Sequence, residues 1–404
     1  MGKRIWRLVV TLAIGLAIVG AVAIWWNFRA GRVSTPPVIS PPTASPTTSP
    51  PSATTPPTTS PPVTPPPSGT GLIVTLAKDL VIPWSLAFLP DGSIIFTERE
   101  GQIRLIDSKS GLLPNPLLTI PEVAARGEGG LLGIAVHPGF SNNGFVYIYH
   151  TYEGGRGLAN KVVRLKLEGR QLAFDRVILD DIPAASIHDG GRIKFGPDGY
   201  LYITAGDASQ SDLAQQLSTL AGKILRVKDD GSIPADNPFS GSPVYSYGHR
   251  NPQGLAWDNQ GRLWETEHGS STRDEINLIQ PGKNYGWPVV RGDEIAAGMV
   301  SPVLHSGDDT WAPSGLAYLP SAGSEQAMGS LYFAGLRGQT LYQAVLKGDK
   351  VELKTHLVKD FGRLRDVIAG PDGLLYLFTN NRDGRGLPAG DDDLLIRVDP
   401  AQLK

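Results

Sequence analysis

The chain has 404 residues, with 37 Lys and Arg against 39 Asp and Glu, a net charge of −2 with neutral histidines, and no cysteine. That balance lacks the basic stripe of a nucleic-acid binder, and without cysteine there are no disulfides, thiolate metal ligands or cysteine nucleophiles. Length alone allows two or three domains, but one large all-β unit can absorb most of it.

Lys3, Arg4 and Arg7 precede an uncharged run from Leu8 to Trp26. As a helix rising about 1.5 Å per residue it spans roughly 28 Å, close to the ~30 Å of a bilayer core. Residues 1–32 are therefore expected to form a hydrophobic helix that anchors the chain in a membrane, with the cations inside and Trp25 and Trp26 at the far interface. The competing reading is a signal peptide cleaved near Ala21-Val22-Ala23, although Ile24-Trp25-Trp26 continues the apolar run. Either way the remainder is expected outside the cytoplasm, tethered if uncleaved and secreted if cleaved. Residues 33–69 are almost entirely Pro, Thr, Ser and Val. Such a tract cannot bury a core and favours extended polyproline II, so it reads as a disordered linker.

From about residue 70 to 404 one pattern recurs. A glycine turn precedes a short alternation of β-formers at Asp91-Gly92, Asn143-Gly144, Asp198-Gly199, Gln260-Gly261, Gly329 and Asp372-Gly373. Asp-Gly or Asn-Gly before such an alternation is a strong hairpin signal. A second strand follows each: Gln102–Ile106, Lys161–Leu165, Lys223–Val227, Glu275–Ile279, Thr340–Ala344 and Leu394–Val398. It reads as the outer strand of the unit, with one central polar side chain facing solvent. Six self-similar units predict an all-β, six-bladed β-propeller with irregular loop insertions. Leu72–Leu76 is expected to close the ring against the last blade. Asp212–Leu220 is the best short helical candidate.

Propeller ligands sit at the mouth of the central channel, so polar clusters outside the repeat are the candidate site residues. Arg126–Gly133 surrounds Glu128 with glycines, which also suits a plain inter-blade turn. His188 enters the third blade, and Asp207 lies where the strand pair returns; a carboxylate on one imidazole nitrogen leaves the other as a base. His249, Arg250, Asn251 and Gln253 offer donors suited to carboxylates or quinone oxygens. Glu267–Asp274 crowds oxygen donors around a glycine turn, which suits Ca²⁺. Arg337, Arg363 and Arg365 come late. Arg363 and Arg365 are two apart on an extended segment and face one way. They suit an anion between them, or are surface arginines with separate acidic partners.

Several motifs occur in a fixed order: Gly127–Gly133, His188–Arg192, Tyr247–Gly254, Asp274–Asn277, Asn284-Tyr285-Gly286-Trp287-Pro288, Ala312–Gly315 and Arg363–Asp366. The ordered set resembles the soluble quinoprotein glucose dehydrogenases and aldose sugar dehydrogenases, which use pyrroloquinoline quinone (PQQ). The likeness runs from about Leu80 to the C-terminus. It implies oxidation of an aldose at the C1 hydroxyl to a lactone, with PQQ and Ca²⁺ as cofactors and an external electron acceptor. It also implies roles: His188 as general base, Asp207 as its orienting carboxylate, and Arg250 near the reactive carbonyl of the quinone. Asn251 and Gln253 fall in the cofactor pocket, Arg363 and Arg365 clamp the anionic cofactor, and the carbonyls of Gly269 and Ser270 hold Ca²⁺.

Glu128 stands where the family usually has Gln, and Arg337 where a Lys usually contacts the cofactor. The two departures are expected to compensate each other or to alter cofactor affinity. Two other classes stay open: a Ca²⁺-dependent lactonase on a similar propeller, which needs Glu, Asn and Asp converging on the axis, and a non-catalytic membrane-tethered binding propeller. The sequence leaves the sugar, the acceptor and the oligomeric state open.

Overall fold

The computed structural model describes residues 72–321, 328–348 and 350–403. The expected anchor at 1–32 and linker at 33–69 lie outside them. The described chain forms six antiparallel sheets of four main strands, five of them running in sequence order from the axis outward. The first strands are Pro83–Phe88, Leu131–Val136, Ile193–Phe195, Pro252–Trp257, Pro313–Leu319 and Leu364–Ala369. They adjoin one another around a closed ring, so the chain is a six-bladed β-propeller. Ile73–Ala77 pairs with Leu395–Val398 and completes the sixth blade, as the sequence predicts. Asp212–Leu220 yields only a single 3₁₀ turn at Ser211–Gln215.

The turns between first and second strands form for a local reason. Asp91, Asp198 and Asp372 each accept a bond from the backbone N–H two residues on, at 2.9, 3.2 and 3.2 Å. The glycines between have φ of 82°, 77° and 77°, the left-handed region that a side chain disfavours.

The repeated second element corrects one expectation. It is the third strand of each blade, and a fourth lies outside it. Its central side chain does not face solvent. Arg164 and Arg226 are about 6% exposed; Arg164 pairs with Asp175 at 2.7 Å, and Arg226 with Asp198 at 2.9 Å. Their guanidiniums lie 3.9 Å from the Phe145 ring and 4.3 Å from the Tyr200 ring. Stacked blades bury both faces of every sheet, so an alternation that reads as half-exposed is covered on both sides.

In five blades the ladder slips near the start of the first strand, at Pro83/Ser85, Leu131/Ile134, Pro252/Gly254, Pro313/Leu316 and Leu364/Asp366. Such bulges re-aim side chains at a rim. They lie at the end of the channel where the expected site residues gather. Farther along, Arg192 of the third blade reaches Asp366 of the sixth, directly across the ring, at 3.0 Å.

Candidate active site

The site is built where second strands end and first strands begin. His188 adopts φ 67°, a left-handed conformation that costs a residue with Cβ about 1–2 kcal/mol. It is held on several sides. Its N–H donates to Glu128 Oε2 at 3.0 Å, and its carbonyl accepts from Ala208 N at 3.3 Å. Its Nδ1 meets Asp207 Oδ1 at 2.8 Å. Gly206 permits this approach, because a Cβ there would sit 1.9 Å from the His188 carbonyl. Asp207 is buried, and Ser209 N–H also donates to Oδ1 at 2.8 Å. The expected base and its orienting carboxylate are therefore together. A carboxylate on Nδ1 fixes the proton there and leaves Nε2 as the acceptor.

Arg250 is tied to this pair, since Asp207 N donates to its carbonyl at 2.8 Å. Its guanidinium lies 5.4 Å from the Trp287 ring, and Nη1 donates to Gly269 O at 2.6 Å. Asn251 Oδ1 accepts from Gly190 N–H at 3.0 Å, and Gln253 Nε2 donates to Gly190 O at 3.1 Å. These two carboxamides clamp the backbone just after His188. Gln253, Gly190, Trp84, His268, Leu336 and Arg365 line the cavity beside it, with Glu128, Asp189 and Arg385.

The guanidiniums around that cavity are unequally satisfied. Arg363 pairs with Asp383 at 2.9 Å, so one expected clamp residue has its own carboxylate. Arg365 is 8% exposed with Nε unpartnered, and has no carboxylate partner among the described residues. Burial opposes its charge and lowers its pKa to about 9, with Asp383 opposing that shift and Arg363 adding to it; the group stays charged near neutrality. Arg250 Nε and Asn251 Nδ2 are also buried without partners. Asp189 is pushed up to about 7 by burial, so it adds little negative charge below neutral pH. Arg365 lines the cavity, Arg250 and Asn251 belong to the same chain segment as the lining residue Gln253, and such unsatisfied cationic and amide donors fit a planar anion.

Glu128 keeps its charge but does not stand alone. Against its burial, His268, the His188 N–H and Arg385 hold its carboxyl down at about 2. Arg385 Nη1 bonds Glu128 Oε1 at 2.8 Å. The cation that answers Glu128 is thus Arg385, not Arg337. Arg337 is exposed and absent from the cavity lining, where its neighbour Leu336 stands. Sequence reasoning missed Arg385, and it gave no individual role to His268 or Trp287.

The metal loop is less complete. Gly269 O is engaged by Arg250, and Ser270 Oγ accepts from Arg291 Nη1 at 2.7 Å. Asp274 is saturated: Oδ1 takes Gly269 N–H, and Oδ2 takes the N–H groups of Trp311 and Ala312. Ca²⁺ takes about 6–8 oxygens, so these residues do not by themselves make its site. A second cluster brings ligating atoms of His249, Glu265 and Glu267 within 4.8 Å of one another. Both imidazole nitrogens are already engaged, Nδ1 by Glu267 and Nε2 by Ser246, each at 2.8 Å. Glu267 also accepts the Arg250 N–H. The cluster is a buried hydrogen-bonded unit behind Arg250. The lactonase pattern does not fit, because the axial carboxylate Asp366 is bound by Arg192 and by Leu86 N–H.

The family model described as Glucose / Sorbosone dehydrogenase matches residues 80–396. The chain belongs to that family. It is 38% identical over 340 residues to the aldose sugar dehydrogenase YliI of Escherichia coli, covering 77% of this chain and 91% of that one. It is 36% identical over 251 residues to quinoprotein glucose dehydrogenase B of Acinetobacter calcoaceticus, covering 54% and 52%. The solved PQQ-bound aldose sugar dehydrogenase of Streptomyces coelicolor is 42% identical with a TM-score of 0.74, covering 83% of this chain and 99% of that one. The motif resemblance and the propeller fold agree with this membership.

Proposed function

We propose that this protein oxidises the C1 hydroxyl of an aldose to the lactone, with PQQ as its cofactor and His188 as the base. The observation that carries the reading is Arg365, a buried guanidinium without a carboxylate, in a cavity whose wall includes Glu128, the acceptor of the N–H of the Asp207-paired His188. Arg365, Arg250, Asn251 and Gln253 would hold PQQ, which when bound accepts the two electrons that leave C1 as hydride. Arg363 is neutralised by Asp383 and so is not an equal half of a clamp.

His188 Nε2 takes the hydroxyl proton. Asp207 holds Nδ1–H and stabilises the imidazolium that forms, so the base is oriented before substrate arrives. Arg250 offers a cation at the reacting end of the pocket, where negative charge develops on an oxygen. Ca²⁺ would take the carbonyls of Gly269 and Ser270, with its remaining oxygens from the anion and water. An external acceptor then removes the electrons, and in the intact chain the N-terminal segment tethers the enzyme to a membrane.

The test uses the full-length purified chain. Adding PQQ and Ca²⁺ should change the PQQ absorption spectrum and give dye reduction with one or more aldoses. No spectral change together with no dye reduction for any aldose would overturn the reading.

A further inference from the structure

Farther along the channel, the first strands of all six blades line a second cavity of about 230 Å³. Arg192, Lys194 and Asp366 border it, together with Ser85 and apolar side chains. It is separate from the mouth that Arg365 lines, because the Arg192–Asp366 bridge crosses the ring between them.

The charges in this cavity do not balance. Arg192 is 3% exposed. Its Nη1 bonds Asp366 Oδ2 at 3.0 Å and Ser85 Oγ at 2.7 Å, and its Nε bonds Gln253 O at 3.1 Å. Its Nη2 is buried without a hydrogen-bond partner, and the guanidinium lies 4.4 Å from the Trp84 ring. Lys194 lies two residues on, on the same face of the strand. Its Nζ bonds Leu255 O at 3.2 Å. Asp366 is the one carboxylate in the lining. Two cations thus share one carboxylate, whose Oδ2 also takes Leu86 N–H at 3.3 Å.

We propose that this channel cavity binds a small inorganic anion at Lys194 Nζ, beside the Arg192 guanidinium. An anion there supplies the missing negative charge. The space suffices: a water occupies roughly 30 Å³ of liquid, so the cavity admits an anion with some of its hydration. Burial lowers the Lys194 pKa to about 8, with Asp366 opposing and Arg192 adding, in keeping with a cation that lacks a full counter-charge. The site is coupled to the mouth. Arg192 Nε holds the Gln253 carbonyl, and the Gln253 side chain holds Gly190, so an anion that fixes Arg192 also steadies the floor of the cofactor pocket.

The experiment is a thermal titration of the full-length chain, without PQQ, in gluconate buffer at constant ionic strength. Replacing gluconate by chloride, or separately by phosphate, should raise Tm along a saturable curve. Saturation with chloride alone assigns a halide, and with phosphate alone an oxyanion. Lys194→Met should shift the midpoint by about tenfold or more. A response no greater than that of gluconate, or the same midpoint in the variant, overturns the proposal. Should the variant fail to fold, wild-type crystals soaked in bromide decide. An anomalous peak within about 3.5 Å of Lys194 Nζ supports the site, and water alone at that position overturns it.

Discussion

Trp287 donates its indole N–H to Asp207 Oδ2 at 2.8 Å, on the carboxylate oxygen that His188 does not use. The indole is itself held. Gln215 Nε2 donates to the Trp287 carbonyl at 2.6 Å, and Gln215 exchanges amide bonds with Asn284 at 3.0 and 2.8 Å. The 3₁₀ turn that carries Gln215 therefore sets the indole, the indole sets the carboxylate, and the carboxylate sets the base. Trp287→Phe keeps the ring and removes the donor. Steady-state kinetics should show kcat down by about tenfold or more with KM for the sugar little changed, since one hydrogen bond to a carboxylate, worth about 1.5–3 kcal/mol, is lost from the positioning of His188. A change in KM alone would place Trp287 in sugar binding instead.

His188→Gln removes the proposed base and keeps a polar side chain. Turnover should fall by about 10²–10⁴ while PQQ binding, followed by its absorption, stays within about twofold. Full activity in this variant would remove His188 from the mechanism. Loss of PQQ binding would instead make it a cofactor ligand.

The propeller was legible because its signals are local. Asp198-Gly199 and Asp372-Gly373 carry both the side-chain bond and the left-handed backbone that the turn requires. The strand following each turn needs only alternation. The His188–Asp207 pair was legible because the two residues flank one strand pair, and Asn251 and Gln253 because they stand two apart where the chain enters the fourth blade's first strand. Contacts between blades were not legible. Arg385 meets Glu128 across 257 residues of sequence, from a loop with no strand pattern. Arg337 lies nearer the repeat and reads as the better partner, yet it is exposed in the structure. Arg164 and Arg226 read as solvent-facing because nothing in one blade reports that the next blade covers it.

Arg365 should be a liability until an anion arrives. Its guanidinium is buried, unpaired by carboxylate and 5.7 Å from the Trp84 ring. Replacing a buried charge by an apolar side chain of similar volume is often neutral or stabilising by about 1–4 kcal/mol. Arg365→Met should therefore hold or raise the Tm of the PQQ-free chain and abolish the rise in Tm that PQQ gives wild type. A clear fall in the PQQ-free Tm would mean that the charge is already compensated. A retained PQQ-induced rise would remove Arg365 from the cofactor site.

Glu128 holds Arg385, and in the proposed site it would compete for that cation with the anionic cofactor. Glu128→Gln keeps an oxygen for the His188 N–H, removes one negative charge from the mouth and frees the half-exposed Arg385. Partly exposed ion pairs are worth about 0.2–1 kcal/mol, so PQQ affinity should tighten by roughly two- to fivefold. Equilibrium titration of the two proteins with PQQ measures this. Weaker binding in the variant would show that the Glu128–Arg385 pair is part of the pocket the cofactor needs.

Glu265 gives stability a pH dependence that can be isolated. Burial, with the nearby Glu267 charge adding to it, raises the Glu265 carboxyl well above its ordinary range. Its Oε2 accepts from Asn277 Nδ2 at 3.1 Å, and its Oε1 is buried without a partner. The sign follows from proton counting. Between the unfolded value near 4.3 and the raised folded value, the folded chain binds the proton and the unfolded chain does not, so stability falls as pH rises through that window. Glu265→Gln is a neutral mimic of the protonated acid and should remove this component. The variant should unfold at nearly the wild-type denaturant midpoint at pH 5, and at a progressively higher midpoint than wild type from pH 6 to 9. A difference between the two proteins that is constant with pH would show that Glu265 titrates in its ordinary range, and would overturn the assignment of a neutral acid behind Arg250.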